Sequence, residues 1–95
     1  MDCFEFEWDE KKRDNNLIKH SIDFVRAVEV FFDEDYIDFE SYQMSEERYQ
    51  VIGKMANEMI ILLVYTHRAN KKRIISARVA SKKERKWYVG DDNER

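Results

Sequence analysis

The chain has 95 residues, 43% of them hydrophobic and 14% aromatic, enough for one packed core and too short for two domains. Its net charge of −3 hides a division: residues 1–47 carry 15 acidic and 5 basic side chains, residues 48–95 carry 5 acidic and 12 basic. The longest apolar run, MIILLV at 59–64, falls far short of the roughly 20 residues that span a bilayer. The acidic start, MDCFEFEWDE, lacks the order of a signal peptide, so a cytoplasmic protein is expected.

In chain order, CFEFEW at 3–8 alternates polar and apolar residues and predicts a half-buried strand. Asp9 is an N-cap for a helix over roughly 10–20, whose polar sequence leaves Leu17 and Ile18 as its packing stripe. Asp23 caps a second helix with Phe24, Ala27, Val28 and Phe31 at core-facing spacing. DEDYIDFES reads as an acidic loop or short edge strand. Three strands follow: ERYQVIGK, then MIILLVYT, apolar on both faces and therefore central, then the β-branched KRIISARVA. Their short connections make an antiparallel meander. SKKE at 81–84 is a capping box that starts a last helix carrying Trp87 and Tyr88, and 89–95 reads as a frayed tail. The whole is a single α+β domain over 1–95, two layers, in the order β-α-α-(β)-β-β-β-α. Its core should include Phe4, Phe6, Trp8, Phe24, Val28, Phe31, Ile61, Leu63 and Ile75.

Several chemistries lack their residues. The one cysteine, Cys3, stands among acids that raise a thiol pKa, and it excludes an internal disulfide or a CxxC site. His20 and His67 have no ligand-like neighbours, so neither a metal nor another cofactor is expected, and His67 reads as a turn residue. No glycine-rich phosphate loop is present. Asp33, Glu34 and Asp35 read as a solvated run. What remains is cationic. Lys19 and His20 end the first helix, Arg48 opens a strand, Arg68 follows another, and Arg73 and Arg78 lie on the last. Strict alternation puts Arg78 on the face of Ile74 and Ser76, with Arg73 opposite. Arginine suits phosphate because its planar fork donates two bonds at once. Lys71, Lys72, Lys82, Lys83 and Lys86 read first as solvated charges. The uneven charge has two readings at this point: a dipolar surface that attracts a polyanion, or two halves that neutralise each other across the fold.

A set of short motifs in order resembles the BrnT-type toxins of bacterial toxin–antitoxin pairs. These are FEWDEKK at 6–12, N..KH at 16–20, F..A..VF at 24–31, EER at 46–48, IG at 52–53, VYT.R at 64–68, RIISAR at 73–78 and ER at 84–85. The family often has glycine after KH, where this chain has Ser21, a strained choice if the backbone is left-handed there. The resemblance implies a RelE-like fold, an endoribonuclease toxin, and a BrnA-like antitoxin that binds it directly. It also implies that the complex binds promoter DNA through the antitoxin. The mechanism that would follow is attack of the ribose 2′-OH on the adjacent phosphate, without a metal. His20 would be base or acid, its other reading being a helix C-cap. Glu47 is a second base candidate, and Lys19, Arg48, Arg68 and Arg78 would stabilise charge, Arg78 in preference to Arg73. Arg73, Lys82, Lys83 and Arg85 would hold RNA. The antitoxin could offer basic residues to DEDYIDFE or lay its own acids over the cationic groove. The alternative is a non-catalytic nucleic-acid or protein-binding module on the same fold.

Overall fold

The structure, a computed structural model, describes residues 5–43 and 46–90. Its elements are β1 (Phe6–Glu7), α1 (Glu10–His20), α2 (Phe24–Ala27), a 3-10 segment (Val28–Phe32), β2 (Ile37–Gln43), β3 (Glu46–Lys54), β4 (Ile60–Arg68), β5 (Lys71–Val79) and α3 (Lys82–Val89). Five strands form one sheet in the order β1-β5-β4-β3-β2; β1 pairs parallel with β5 and the others are antiparallel. This matches the expected α+β order. The predicted first strand shrinks to two residues, and its positions Cys3 and Phe4 lie outside the described residues, as do 91–95 of the predicted tail.

The inner face of the sheet carries Val51, Ile61, Leu63, Tyr65, Ile74 and Ala77, which pack with Phe24, Ala27, Val30 and Phe31 from α2 and the 3-10 segment. Phe6, Trp8 and Val28 are half-buried at its margin. The expected second helix is therefore one α turn that tightens into 3-10 geometry, still burying one side. Gly53 permits this approach: a Cβ there would lie 2.8 Å from Val30 Cβ. β4 is central as expected, with Ile61, Leu62 and Leu63 all buried. On the outer face, α3 covers the upper half over Ile52 and Leu62, where Trp87 meets Phe39 edge-on at 6.5 Å. Tyr88 donates to Asp33 Oδ2 at 2.6 Å, which also accepts the Lys54 amide, so Asp33 is a structural acceptor. Ser81 and Glu84 close the predicted capping box.

Two departures position the site. The first is α1. Leu17 is 45% and Ile18 82% exposed, so neither is a packing stripe. Asn16 holds the helix instead. Its Nδ2 donates to the carbonyls of Ile22 and Ala77, both at 2.9 Å, and its Oδ1 accepts the Ala77 amide at 3.0 Å. This side chain thus closes the edge of β5 beyond the short β1. Arg13 adds a two-pronged pair to Asp23, at 2.8 and 3.1 Å. The helix ends at Ser21 in the left-handed region (φ 61°), the conformation that favours glycine.

The second departure is a β-bulge. Thr66 pairs with Arg73 and Tyr65 with Ile74, but Val64 pairs with Ser76, so Ile75 is an extra residue on β5. One extra residue inverts the alternation. Leu62 pairs with Arg78, and residues 62 and 66 of β4 share a face, so Arg73 and Arg78 both lie on the outer face. The expectation of opposite faces is corrected by the bulge. Ile74, not Ile75, fills the core position, and Arg78 does not share its face.

Candidate functional site

Below α3 the outer face is open, and the strands bring their cations there. A hollow of about 320 Å³ is lined by Lys12, Arg48, Thr66, His67, Arg68, Arg73 and Ile75. Beside it a hollow of about 220 Å³ is lined by Lys12, Asn15, Asn16, Lys19, His20, Ile75 and Ser76. The two share Lys12 and the bulged Ile75, so they form one groove between α1 and the sheet.

Each side chain arrives for a local reason. Arg48, Thr66 and Arg73 occupy outer-face positions on β3, β4 and β5. Arg68 stands at the end of β4, beside a turn in which Ala69 takes a positive φ. Lys12, Asn15, Asn16 and Lys19 recur at helical spacing, one polar stripe along α1. Lys19 and His20 sit in its last turn, where cations oppose the negative end of the helix dipole. Arg73 Nη1 bonds Glu7 at 3.0 Å, which fixes the side chain and uses one of five donors. The Thr66 hydroxyl donates to the Glu47 carbonyl at 3.1 Å.

Of the residues expected to act, Lys19, His20, Arg48 and Arg68 line the groove, and Arg73, expected only to hold RNA, lines it with them. The others lie elsewhere. Glu47 points to the inner side, accepting from the Tyr49 hydroxyl at 3.0 Å; that bond and burial push the tyrosine up to about 12. Arg78 makes a two-pronged ion pair with Glu84, both contacts at 2.9 Å. Hydrogen bonding in this pair raises the arginine pKa and holds the Glu84 carboxyl below its ordinary value. Lys82, Lys83 and Arg85 ride on α3. Lys83 lies 5.5 Å over the Trp87 ring, and Arg85 donates to the Ala80 carbonyl.

The lining residues that were not anticipated include Lys12, Thr66 and His67. Lys12 was legible as the start of the polar stripe that ends at Lys19. His67 is not in a turn. It lies within β4, its ring 4.7 Å from Tyr49 and 5.6 Å from Tyr65. Among the described residues no three His, Cys, Asp or Glu side chains group as a metal site, and no helix is long and apolar enough to cross a membrane.

The profile of the ribonuclease toxin BrnT of type II toxin–antitoxin systems matches residues 8–84. The chain belongs to the BrnT family. It is also similar to the crystal structure of the ribonuclease toxin BrnT of Brucella abortus, with a TM-score of 0.68 and 28% identity over 84% of this chain and 100% of that one. No curated protein sequence matches it. The fold, the ribonuclease class and the toxin–antitoxin context expected from the motifs therefore hold. A BrnT-family toxin implies an RNA target and an antitoxin partner.

Proposed function

We propose that this BrnT-family protein is an endoribonuclease that binds the scissile phosphate between Arg48, Arg68 and Arg73. The observation that carries this is that those three arginines, from three strands, line one hollow of about 320 Å³. Lys12 and Lys19 extend the positive track along α1, where the flanking phosphates would lie.

The reaction this set suits is transesterification without a metal. The ribose 2′-oxygen attacks the adjacent phosphorus while its proton passes to a base. The bond from phosphorus to the 5′-oxygen breaks as an acid protonates that oxygen, leaving a 2′,3′-cyclic phosphate and a 5′-hydroxyl. Charge builds on the phosphorane oxygens, where fixed guanidiniums stabilise it. His20 lines the adjoining hollow and is the side chain we assign to proton transfer, since an imidazole can serve as general base or general acid. Glu47, on the inner side, is not placed to serve as the base, and Arg78 serves the fold.

We further infer that the antitoxin neutralises the toxin by direct binding, that the complex reaches promoter DNA through the antitoxin, and that both act in the cytoplasm. The purified protein, incubated with RNA and a chelator, should yield fragments ending in 2′,3′-cyclic phosphate. Fragments ending in 3′-hydroxyls, or cleavage abolished by chelation, would overturn the mechanism.

A further inference from the structure

The two edges of the sheet are finished differently. At one edge, β5 is covered by the short β1 and then by Asn16, which bonds the Ala77 amide and carbonyl. At the other edge, β2 pairs with β3 from Ile37 to Gln43 with no break in register. Among the described residues no strand lies beyond it. The backbone donors and acceptors on the far side of such a strand can template another chain, and exposed edges are ordinarily blunted by lysine, proline or a bulge. β2, with the sequence IDFESYQ, has none of these. An open edge of this kind accepts an extended segment as an added strand.

The side chains define the segment that fits. Asp38 pairs with Val51 and Glu40 with Tyr49, so both acids lie on the inner face, and both are exposed. Ile37 and Phe39 alternate with them on the outer face and are half-buried, Ile37 opposite Ile52. Residues opposite one another on neighbouring strands share a face. An added strand would therefore set basic side chains beside Asp38 and Glu40 and apolar ones beside Ile37 and Phe39, in alternation. The charge around β2 has one sign, since residues 27–47 include no lysine, arginine or histidine. A second copy of this chain is a poor occupant: two β2 strands paired with the inner face continuous would set these acids against each other.

We propose that β2 is the docking edge for the antitoxin, which adds a strand there through an extended segment of alternating basic and apolar residues. This rests on the direct toxin–antitoxin binding inferred above and gives it a place. Ser41 of β2 pairs with Arg48, so a strand added beyond β2 runs about 10 Å from Arg48, two strand spacings away. The rest of the antitoxin is thereby brought beside the arginine hollow.

The probe is a capped peptide of alternating lysine and valine, matched in length to β2 and added to the whole toxin. Amide hydrogen exchange is read residue by residue. The N–H groups of a strand point alternately to its two sides, so every second β2 amide bonds to β3 and those between are open. Peptide at about ten times its Kd should slow the open amides about tenfold and leave those of α1 and α3 unchanged. Glu40→Lys, an exposed change whose fold circular dichroism checks, should weaken the peptide about tenfold. The docking edge fails if β2 exchanges as fast with peptide as without it, if the protection falls on other elements, or if folded Glu40→Lys binds as the wild type does. Protection of β2 that grows with toxin concentration alone would assign the edge to a second copy instead. In each of these cases a toxin that co-purifies with an antitoxin co-expressed from the same operon leaves direct binding standing. A toxin that fails to co-purify with it would overturn that reading, whatever the peptide does.

Discussion

Arg73 and Arg78 stand on the same strand and the same face of the sheet, and they meet different neighbours. Arg78 lies under α3, gripped at two points by Glu84. Arg73 lies below the helix, held at one point by Glu7 and turned into the open hollow with Arg48 and Arg68. The difference divides the outer face into a covered upper half and an open lower half. In the upper half a guanidinium is a clamp for a helix that buries no residue of its own. In the lower half the same group keeps donors for a ligand.

Exchanging the two functions by mutation gives the largest expected effect. Arg73→Ala should leave the fold intact and slow RNA cleavage by about 100- to 1,000-fold, the usual loss when a donor aimed at developing charge is removed. Arg78→Ala should retain most of the activity. Cleavage rates and growth inhibition without antitoxin measure both. A folded Arg78→Ala protein that is inactive, beside an active Arg73→Ala, would reverse the division.

The lower half also depends on how α1 is seated, and one side chain does most of that. Asn16→Ala removes three hydrogen bonds and leaves the Ala77 amide and carbonyl without their partner in a buried place. We expect a loss of about 3 kcal/mol in denaturant unfolding, since each buried polar group left unsatisfied costs about 1–3 kcal/mol. Leu17→Ala, at an exposed position on the same helix, should stay within about 0.5 kcal/mol. If Leu17 proved the costlier change, α1 would pack by its apolar residues after all.

These two halves were not equally legible from the chain. The upper half could be read: the capping box at Ser81, the central apolar strand and the aromatic pair at 87–88 are local signals, and each was recovered. The lower half was obscured by features that local pattern does not carry. A bulge is one extra residue in one strand, invisible until register is known, and it inverted the placing of Arg73 against Arg78. α1 buries one residue, the polar Asn16, and no apolar one, so apolar spacing pointed to Leu17 and Ile18 and gave no sign of Lys12 or Asn16. The set Lys19, His20, Arg48 and Arg68 was found because arginine, lysine and histidine at strand and helix ends need no register to be noticed. The paired carboxylates that engage Arg73 and Arg78 come from 66 and 6 residues away, and only the fold brings the first of them near.

Acid should test the clamp in the upper half. The Glu84 carboxyl is held below its ordinary value, first by the hydrogen bond from Arg78. A lowered folded pKa gives stability that is present above the unfolded value of 4.5 and lost as pH falls through the folded one. The guanidinium side chain is 41% exposed, so water screens the pair and the contribution is about 1 kcal/mol. Arg78→Ala should therefore cost about that much near neutrality, and the deficit should shrink as pH falls from 4.5 through the lower folded value. Unfolding free energies measured across that range decide it. A deficit that persisted unchanged at low pH would mean the arginine acts by packing and not by charge. Asp23, similarly lowered by Arg13, should keep its own acid sensitivity in the variant.

The smallest effects are expected from the cations of α3, and they mark where the RNA track ends. Lys82 and Lys83 are exposed on a helix over the covered half, with Lys83 lying across the Trp87 ring, and neither lines the groove. Their charge still adds to the field that draws in a polyanion, but at a distance that salt screens within about 10 Å at 0.1 M. Lys82→Ala and Lys83→Ala should weaken RNA binding about twofold at low salt and leave the slope of log affinity against log salt nearly unchanged. Lys12→Ala, which removes a cation shared by both hollows, should reduce that slope by about one, the loss of one phosphate contact. The slope separates the two cases even where the affinities overlap, because a screened field fades with salt while a contact releases a counterion. If each α3 lysine also lowered the slope by about one, the RNA would run on across the helix, and the boundary between clamp and groove would have to move to its far side.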